Sequence, residues 1–324
     1  MEKHRLKAYI LLLITAVIWG IAGLVIKATL DKIPADLFIL YRFAVSTIVS
    51  VIFFAIQGIK LPKDKISLFQ LFLYCLLNSS VSLGLLFWGT SKTSLLDMSL
   101  ISLFGPLLLT AAGYIFLKDK ITKQEKIGTT IAFIGALLIG ISPLIGSSGT
   151  EGELFGNILI FLSLVSGAIC GILAKKLMRN GVSPNLLANL SFVVGFITIL
   201  PFVIIKSGAA YSLSLLGNSD INIWSGIVFM AVVSGNLAYI LNNMGQKTIE
   251  LSEAAPFAYL YPIFSAILAT IFLGDRFTLP IILGAVVTFA GVILAETKKR
   301  RYNYGGVSFA LTFVIIVIPS TQVQ

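Results

Sequence analysis

The chain is a series of apolar runs of roughly 18 to 23 residues cut apart by short charged tracts, and no other property restricts its folding as strongly. A helix of that length covers about 30 Å of hydrocarbon, so each run is long enough to cross a bilayer. Strands of a membrane barrel would alternate over segments of about ten residues, a pattern the sequence lacks. Charged residues make up 12% and hydrophobic residues 57% of the chain, where a soluble protein carries about 25% charge. The expectation is an all-α integral membrane protein.

Ten spans are predicted. The first five are Ala8–Leu30, Asp36–Gln57, Ile66–Gly89, Ser94–Leu117 and Glu125–Leu144. The second five are Leu154–Lys175, Asn185–Ile205, Ile223–Met244, Ser252–Leu273 and Thr278–Glu296. Only loops separate them, so no soluble domain is expected. The opening MEKHRLK leads into a run too long for a signal-peptide core of roughly 7–15 residues, which makes it a retained first span. Cys75 and Cys170 fall inside spans and read as small buried hydrophobes.

Lysine and arginine alternate across these spans. With the N-terminus inside, the inner segments hold Lys3, Arg5 and Lys7, then Lys60, Lys63 and Lys65, then Lys118, Lys120, Lys123 and Lys126. They continue with Lys175, Lys176 and Arg179, then Lys247, then Lys298 to Arg301, while outer segments hold little more than Lys32, Lys92, Lys206 and Arg276. The positive-inside rule therefore puts both termini in the cytoplasm of a multi-pass cell-membrane protein. The same distribution accounts for the net charge of +10 without a nucleic-acid partner.

A phrase occurs twice: FLKDKIT at Phe116–Thr122 and FLGDRFT at Phe272–Thr278. Sliding the chain by about 156 residues superposes Gly89 on Gly245, Pro106 on Pro262, Asp119 on Asp275, Gly128 on Gly284 and Gly135 on Gly291. Upstream, Lys27 falls on Lys175 after loop-length changes. Residues 1–145 and 154–301 thus read as two five-span units, followed by an apolar tail over 302–324, interfacial or disordered. Five is odd, so consecutive copies enter the membrane from opposite sides as inverted repeats, and solute sites in such proteins lie at the repeat interface. Asp119 and Asp275 read as caps of the helix that follows each, and the paired glycines as close-packing sites. Pro106 and Pro262 interrupt spans and are hinge candidates, or merely bends.

The Trp19–Gly20 pair, the Tyr41–Phe43 triplet and the proline, FL.D..T and paired glycines closing each half resemble the EamA-type transporters of the drug/metabolite transporter superfamily, from Met1 to about Arg301. That resemblance implies two repeats around a central cavity reached from the first, third, fourth, sixth, eighth and ninth spans, and transport of amino acids, metabolites or drugs. It names no single solute.

Polar residues inside the spans mark the candidate lining. Asn236, Tyr239 and Asn243 share one helix face in span eight, where amides are costly unless they meet other helices, water or a ligand. Asn78 and Trp88 in span three, Trp19 in span one and Tyr259 in span nine are the further candidates, each with packing or interfacial anchoring as the alternative. Arg42 stands about two turns inside span two and needs a partner: Asp31 or Asp36, the interface by snorkelling, or an anionic group of a solute. Deep carboxylates are absent, with Glu253 among the nearest, so a buried proton relay is not visible.

The single histidine, His4, sits in the N-terminal tail, and neither a Cys-x-x-Cys pair nor a Walker-type glycine loop occurs. No enzyme, metal site, cofactor or ATP-driven pump is expected. The reading is a secondary transporter of small organic solutes, an exporter working by alternating access. Uptake, lipid flipping and a non-transporting scaffold are the alternatives, and oligomeric state is open.

Overall fold

The computed structural model describes residues 2–93, 98, 101–141, 151–213, 217, 220–261, 264 and 279–296. Among them every regular element is helical. We number the main helices α1 Glu2–Leu30, α2 Ala35–Gln57, α3 (Lys65–Cys75, continuing through Leu76–Leu83 and Gly84–Thr90), α4 Phe104–Leu117 and α5 Lys123–Ile141. The second half holds α6 Glu151–Arg179, α7 Pro184–Ser207, α8 (Ile221–Val228, Phe229–Leu237 and Ala238–Thr248), α9 (Leu251–Ala254 tightening into 3-10 turns over Ala255–Leu260) and α10 Leu279–Glu296.

Six of these are long and apolar enough to cross a membrane: α1, α2, α3, α6, α7 and α8. The expected ten are not reached among the described residues. Apolar α4 and the stretch Ile282–Ala295 of α10 are shorter, and α5 opens on Lys123, Glu125 and Lys126. Expected spans four and nine run into residues outside those described, as do Pro262 and the tail from 302. Large apolar side chains cover the outside of the bundle, Ile56 at 78% and Ile205 at 86% exposure among them, as lipid contact requires.

Local chemistry sets the helix ends. Asp64 accepts the Ser67 N–H at 2.6 Å, Ser183 the Leu186 N–H at 3.1 Å, and Asp220 the Asn222 N–H at 2.8 Å. Each such cap contributes about 1 kcal/mol. Thr122 and Glu125 form a reciprocal capping box, the Glu125 N–H reaching the Thr122 hydroxyl at 3.1 Å and the Thr122 N–H the Glu125 carboxylate at 2.5 Å.

That box corrects the reading of Asp119. The following helix is capped by Thr122, while Asp119 Oδ2 accepts the N–H groups of Leu251 and Ser252, at 3.0 and 3.2 Å, at the start of α9 in the other half. Local spacing could not show a target 132 residues away. Gly113 makes room for it, since a Cβ there would stand 2.5 Å from Asp119 Oδ2.

In lipid, helices associate through close packing and polar contacts, because lipid tails offer no hydrophobic drive. A Cβ on Gly128 would lie 2.3 Å from the Ala295 nitrogen, and one on Gly135 would lie 2.4 Å from the Thr288 nitrogen. Partner numbers fall as α5 numbers rise, so α5 and α10 run antiparallel with backbones in contact. α2 and α7 are antiparallel too, joined by Lys206–Asp36 at 3.2 Å and Ser50–Asn189 at 3.0 Å. Gly89 of α3 packs on Gly156 and Ile160 of α6, and Gly245 of α8 packs on Ala8 and Leu12 of α1.

Both α3 and α8 widen to π-helix in mid-course, over Leu76–Leu83 and Phe229–Leu237. Such turns are uncommon, and they frequently lie at functional sites.

Candidate functional site

Between the helices lies a cavity of about 370 Å³ whose walls come from α1, α3, α4, α6, α8 and α9, with Arg42 reaching in from α2. Trp19 organises one wall. Its indole N–H donates to the Ser234 carbonyl at 3.1 Å, a group in the π-helical part of α8, and its ring meets Tyr239 and Tyr261 edge-on at 5.3 and 5.7 Å. Such aromatic pairs add about 0.5–1.5 kcal/mol each beyond the area they bury. Tyr259 also lines the cavity, with its hydroxyl lacking a protein partner.

Across from it, Asn78 lines the cavity from the π-helical part of α3 while its amide donates to Ser191 Oγ at 3.2 Å. Ser82, a turn on, donates to the Ser163 carbonyl at 2.9 Å. Asn243 faces the same space with its side chain beside the Tyr74 hydroxyl, and Asn242 and Gln246 next to it are linked at 3.3 Å.

Two expected lining residues stand elsewhere. Asn236 is buried in a polar knot, its amide donating to Ser50 Oγ at 2.9 Å and Asn189 Oδ1 at 2.8 Å, which ties α2, α7 and α8 together. The regular period behind the shared-face expectation breaks at the π-helix containing Asn236, so that residue turns to the α2 and α7 side while Tyr239 and Asn243 keep the cavity side. Trp88 packs on Phe202 at 5.5 Å between α3 and α7, outside the lining.

For Arg42 two of the three alternatives fall away. It neither snorkels nor pairs with Asp31 or Asp36. The carboxylate of Asp36 takes Lys206, Tyr211 and the Leu37 N–H instead. Arg42 is 1% exposed, its Nε donates to the Met230 carbonyl at 3.0 Å, its guanidinium lies 5.1 Å above the Phe87 ring, and its Nη1 has no protein partner. The carbonyl that receives it belongs to the π-helical part of α8, Phe229–Leu237.

Pro106 lines the cavity in the first turn of α4, just past an interruption with helical residues on both sides of it. The helix breaks at Leu103, three residues earlier, where the proline ring crowds the preceding turn and supplies no N–H.

Sequence reasoning treated Arg5 as a tail cation and missed a cluster around buried Glu253. Glu253 accepts hydrogen bonds from Arg5 and from Tyr9, the latter at 2.5 Å, with its side chain 3% exposed. Lys175 was counted only for its charge, yet its ammonium donates to the carbonyls of Gln246, Lys247 and Ile249 at 2.5, 3.2 and 2.5 Å. Cations suit these orphan carbonyls and the negative end of the α8 dipole. The repeat alignment of Lys27 with Lys175 was the signal that could have found this contact.

Comparison with known proteins places the chain among transporters. It is 29% identical over 307 residues to the uncharacterized transporter YyaM of Bacillus subtilis, covering 93% of this chain and 97% of that one. It is 26% identical over 290 residues to a probable amino-acid metabolite efflux pump of Salmonella typhimurium, covering 88% and 93%. A solved crystal structure superposes with a TM-score of 0.74 at 11% identity, over 91% of this chain and 96% of that one, which shows a shared fold. The sequence model of one family matches twice, over residues 6–141 and again over 154–297. The chain belongs to the EamA-like transporter family.

Proposed function

We propose that the protein is a secondary transporter that moves small organic solutes across the cell membrane by alternating access, with ten spans arranged as two inverted five-helix units and both termini cytoplasmic. One observation carries the reading: contacts made by one half recur with the halves exchanged. Lys27 of α1 donates to the Thr93 carbonyl at the end of α3, at 3.4 Å, and its equivalent Lys175 of α6 donates to the Ile249 carbonyl at the end of α8, at 2.5 Å. Gly89 meets Gly156 and Ile160, while its equivalent Gly245 meets Ala8 and Leu12. Units related by an axis in the membrane plane make every such contact twice. The antiparallel crossings of α5 with α10 and of α2 with α7, each between equivalent helices, support the same axis.

Trp19, Asn78, Tyr239, Asn243 and Tyr259 are the proposed solute contacts, and a volume of about 370 Å³ falls in the range of small-ligand sites. Asn236 and Trp88 hold the frame. Pro106, beside the break at Leu103, is the proposed hinge of the first half, and Pro262 its counterpart. Export is favoured because two relatives, from Salmonella typhimurium and Escherichia coli, are named probable amino-acid metabolite efflux pumps. No carboxylate lines the cavity among the described residues, which favours exchange, or coupling through Glu253, over a proton relay in the lining.

The test is counterflow in vesicles containing the purified protein, preloaded with one unlabelled amino acid or metabolite at a time and supplied with its labelled form. Transient accumulation of at least one solute is expected. A panel no faster than protein-free vesicles would overturn the transporter reading.

A further inference from the structure

We infer that the solute carries a carboxylate or similar anionic group, held by Arg42, and that the cavity rejects cationic solutes of the same shape. This deepens the transporter reading and rests on it.

The argument starts from the cost of the charge. A buried ion without a counter-charge is destabilising by several kcal/mol, and natural structures offset it with a partner. Arg42 has none among the described residues: a carbonyl takes one of its five N–H donors, an aromatic ring takes one face, and Nη1 is buried without a protein acceptor. Among the described residues it is the one charged side chain in the cavity wall. Three buried acids among the described residues are engaged elsewhere, Asp36 with Lys206, Glu253 with Arg5 and Asp119 with the start of α9.

A structural role does not account for this choice. Bonding the Met230 carbonyl and filling the space over Phe87 could be done by a neutral donor of similar length, without the desolvation cost of a full charge. What a guanidinium adds is a planar fork that matches a carboxylate through two parallel N–H bonds.

Nearby donors point the same way. The Tyr259 hydroxyl also lines the cavity without a protein partner, and the Asn243 side chain stands beside the Tyr74 hydroxyl in the same wall. Arg42 and these neutral groups therefore face a space with no balancing acid among the described residues, a setting that favours oxygen acceptors over ammonium groups. Trp19, Tyr239 and Tyr261 supply an apolar surface for the rest of the molecule. In a low-dielectric enclosure, a cation brought to this site would meet unscreened repulsion from Arg42.

The test uses Ser82→Cys, a nearly isosteric lining position, with Cys75 and Cys170 replaced by Ser, and the full chain in vesicles. The probes are three methanethiosulfonate reagents, one anionic sulfonate, one cationic trimethylammonium and one neutral methyl compound, each rate normalised to its rate with 2-mercaptoethanol. The anionic reagent is expected to be at least tenfold faster than the cationic one. Arg42→Gln should bring the two within about threefold while the neutral reagent keeps its rate, which also shows that the variant is folded. Arg42→Lys should keep the anionic preference in reduced form.

Equal rates in the parent protein, or a preference that survives Arg42→Gln, would overturn the inference while leaving a reactive, hydrated cavity and the transporter reading in place. No reaction with any of the three would overturn both. A preference that emerges only when chloride is exchanged for gluconate would identify a halide as the resident anion, and that too overturns the solute assignment.

Discussion

Lys118 has φ 56°, a left-handed conformation closing α4 at the position where the second copy of the phrase has Gly274. A side chain there costs about 1 kcal/mol that glycine avoids. Lys118→Gly should therefore raise stability by about 0.5–1 kcal/mol, read from the denaturation midpoint in detergent, and a lower midpoint would show that the lysine has a compensating contact. The amides of α8 give a second, paired expectation. Asn236→Ala strands buried partners on α2 and α7 and should cost about 1–3 kcal/mol of stability, whereas Asn243→Ala removes an amide that faces the cavity, should cost less than about 1 kcal/mol, and should weaken solute binding. Equal losses of stability would mean that both serve only to hold helices together. At this scale the sequence revealed which residues were costly to bury and not what they met. Arg42 was legible as a residue needing a partner, but its neighbours Met230 and Phe87 are set by helix packing, and Asn236 left the predicted face because the helical period changes at that turn.

Among the elements, the start of α1 and the start of α9 are fastened by Arg5, Tyr9 and Glu253. If this is a latch on the N-terminal face of the bundle, Glu253→Gln loosens it. A Gln246→Cys reporter in the cavity wall should then label at least threefold faster from that face. A rate unchanged or lower would make the cluster a permanent joint. α4 gives the other mechanical expectation. With the break at Leu103 already in place, Pro106→Ala restores one N–H and allows the helix to extend, so transport rate should change while solute affinity stays within about threefold, or about 0.7 kcal/mol. Loss of binding in a folded variant would put Pro106 in the site itself. Helix existence and length were legible from apolar runs, and α1, α2, α3, α6, α7 and α8 lie close to the spans read from sequence. The π-helical parts of α3 and α8 were not, because widening a turn leaves no mark in residue type that hydrophobic periodicity can detect.

For the molecule as a whole, the proposed orientation has a direct check. Reporters fused after Arg301 and inserted at Gly149 should read inside and outside respectively, and either result reversed would remove the ten-span arrangement. The repeat was legible because glycines, prolines and the FL.D..T phrase keep their spacing, and these are positions where backbone geometry limits substitution. Contacts between the halves were not legible, since Asp119 and Lys175 read as local end-of-helix charges until the helices they serve are brought beside them.

The exchanged packing of α1 on α8 and of α3 on α6 makes the two halves intertwined instead of adjacent. Each half lends its first helix to the other, so neither encloses its own interior. Cutting the chain between Ile141 and Glu151 should therefore yield fragments that do not survive when made alone, yet recover a working complex when produced together in one membrane. The linker would be dispensable and the companion half would not. In that sense the molecule behaves as an internal heterodimer whose assembly, and not the folding of either part, creates the cavity.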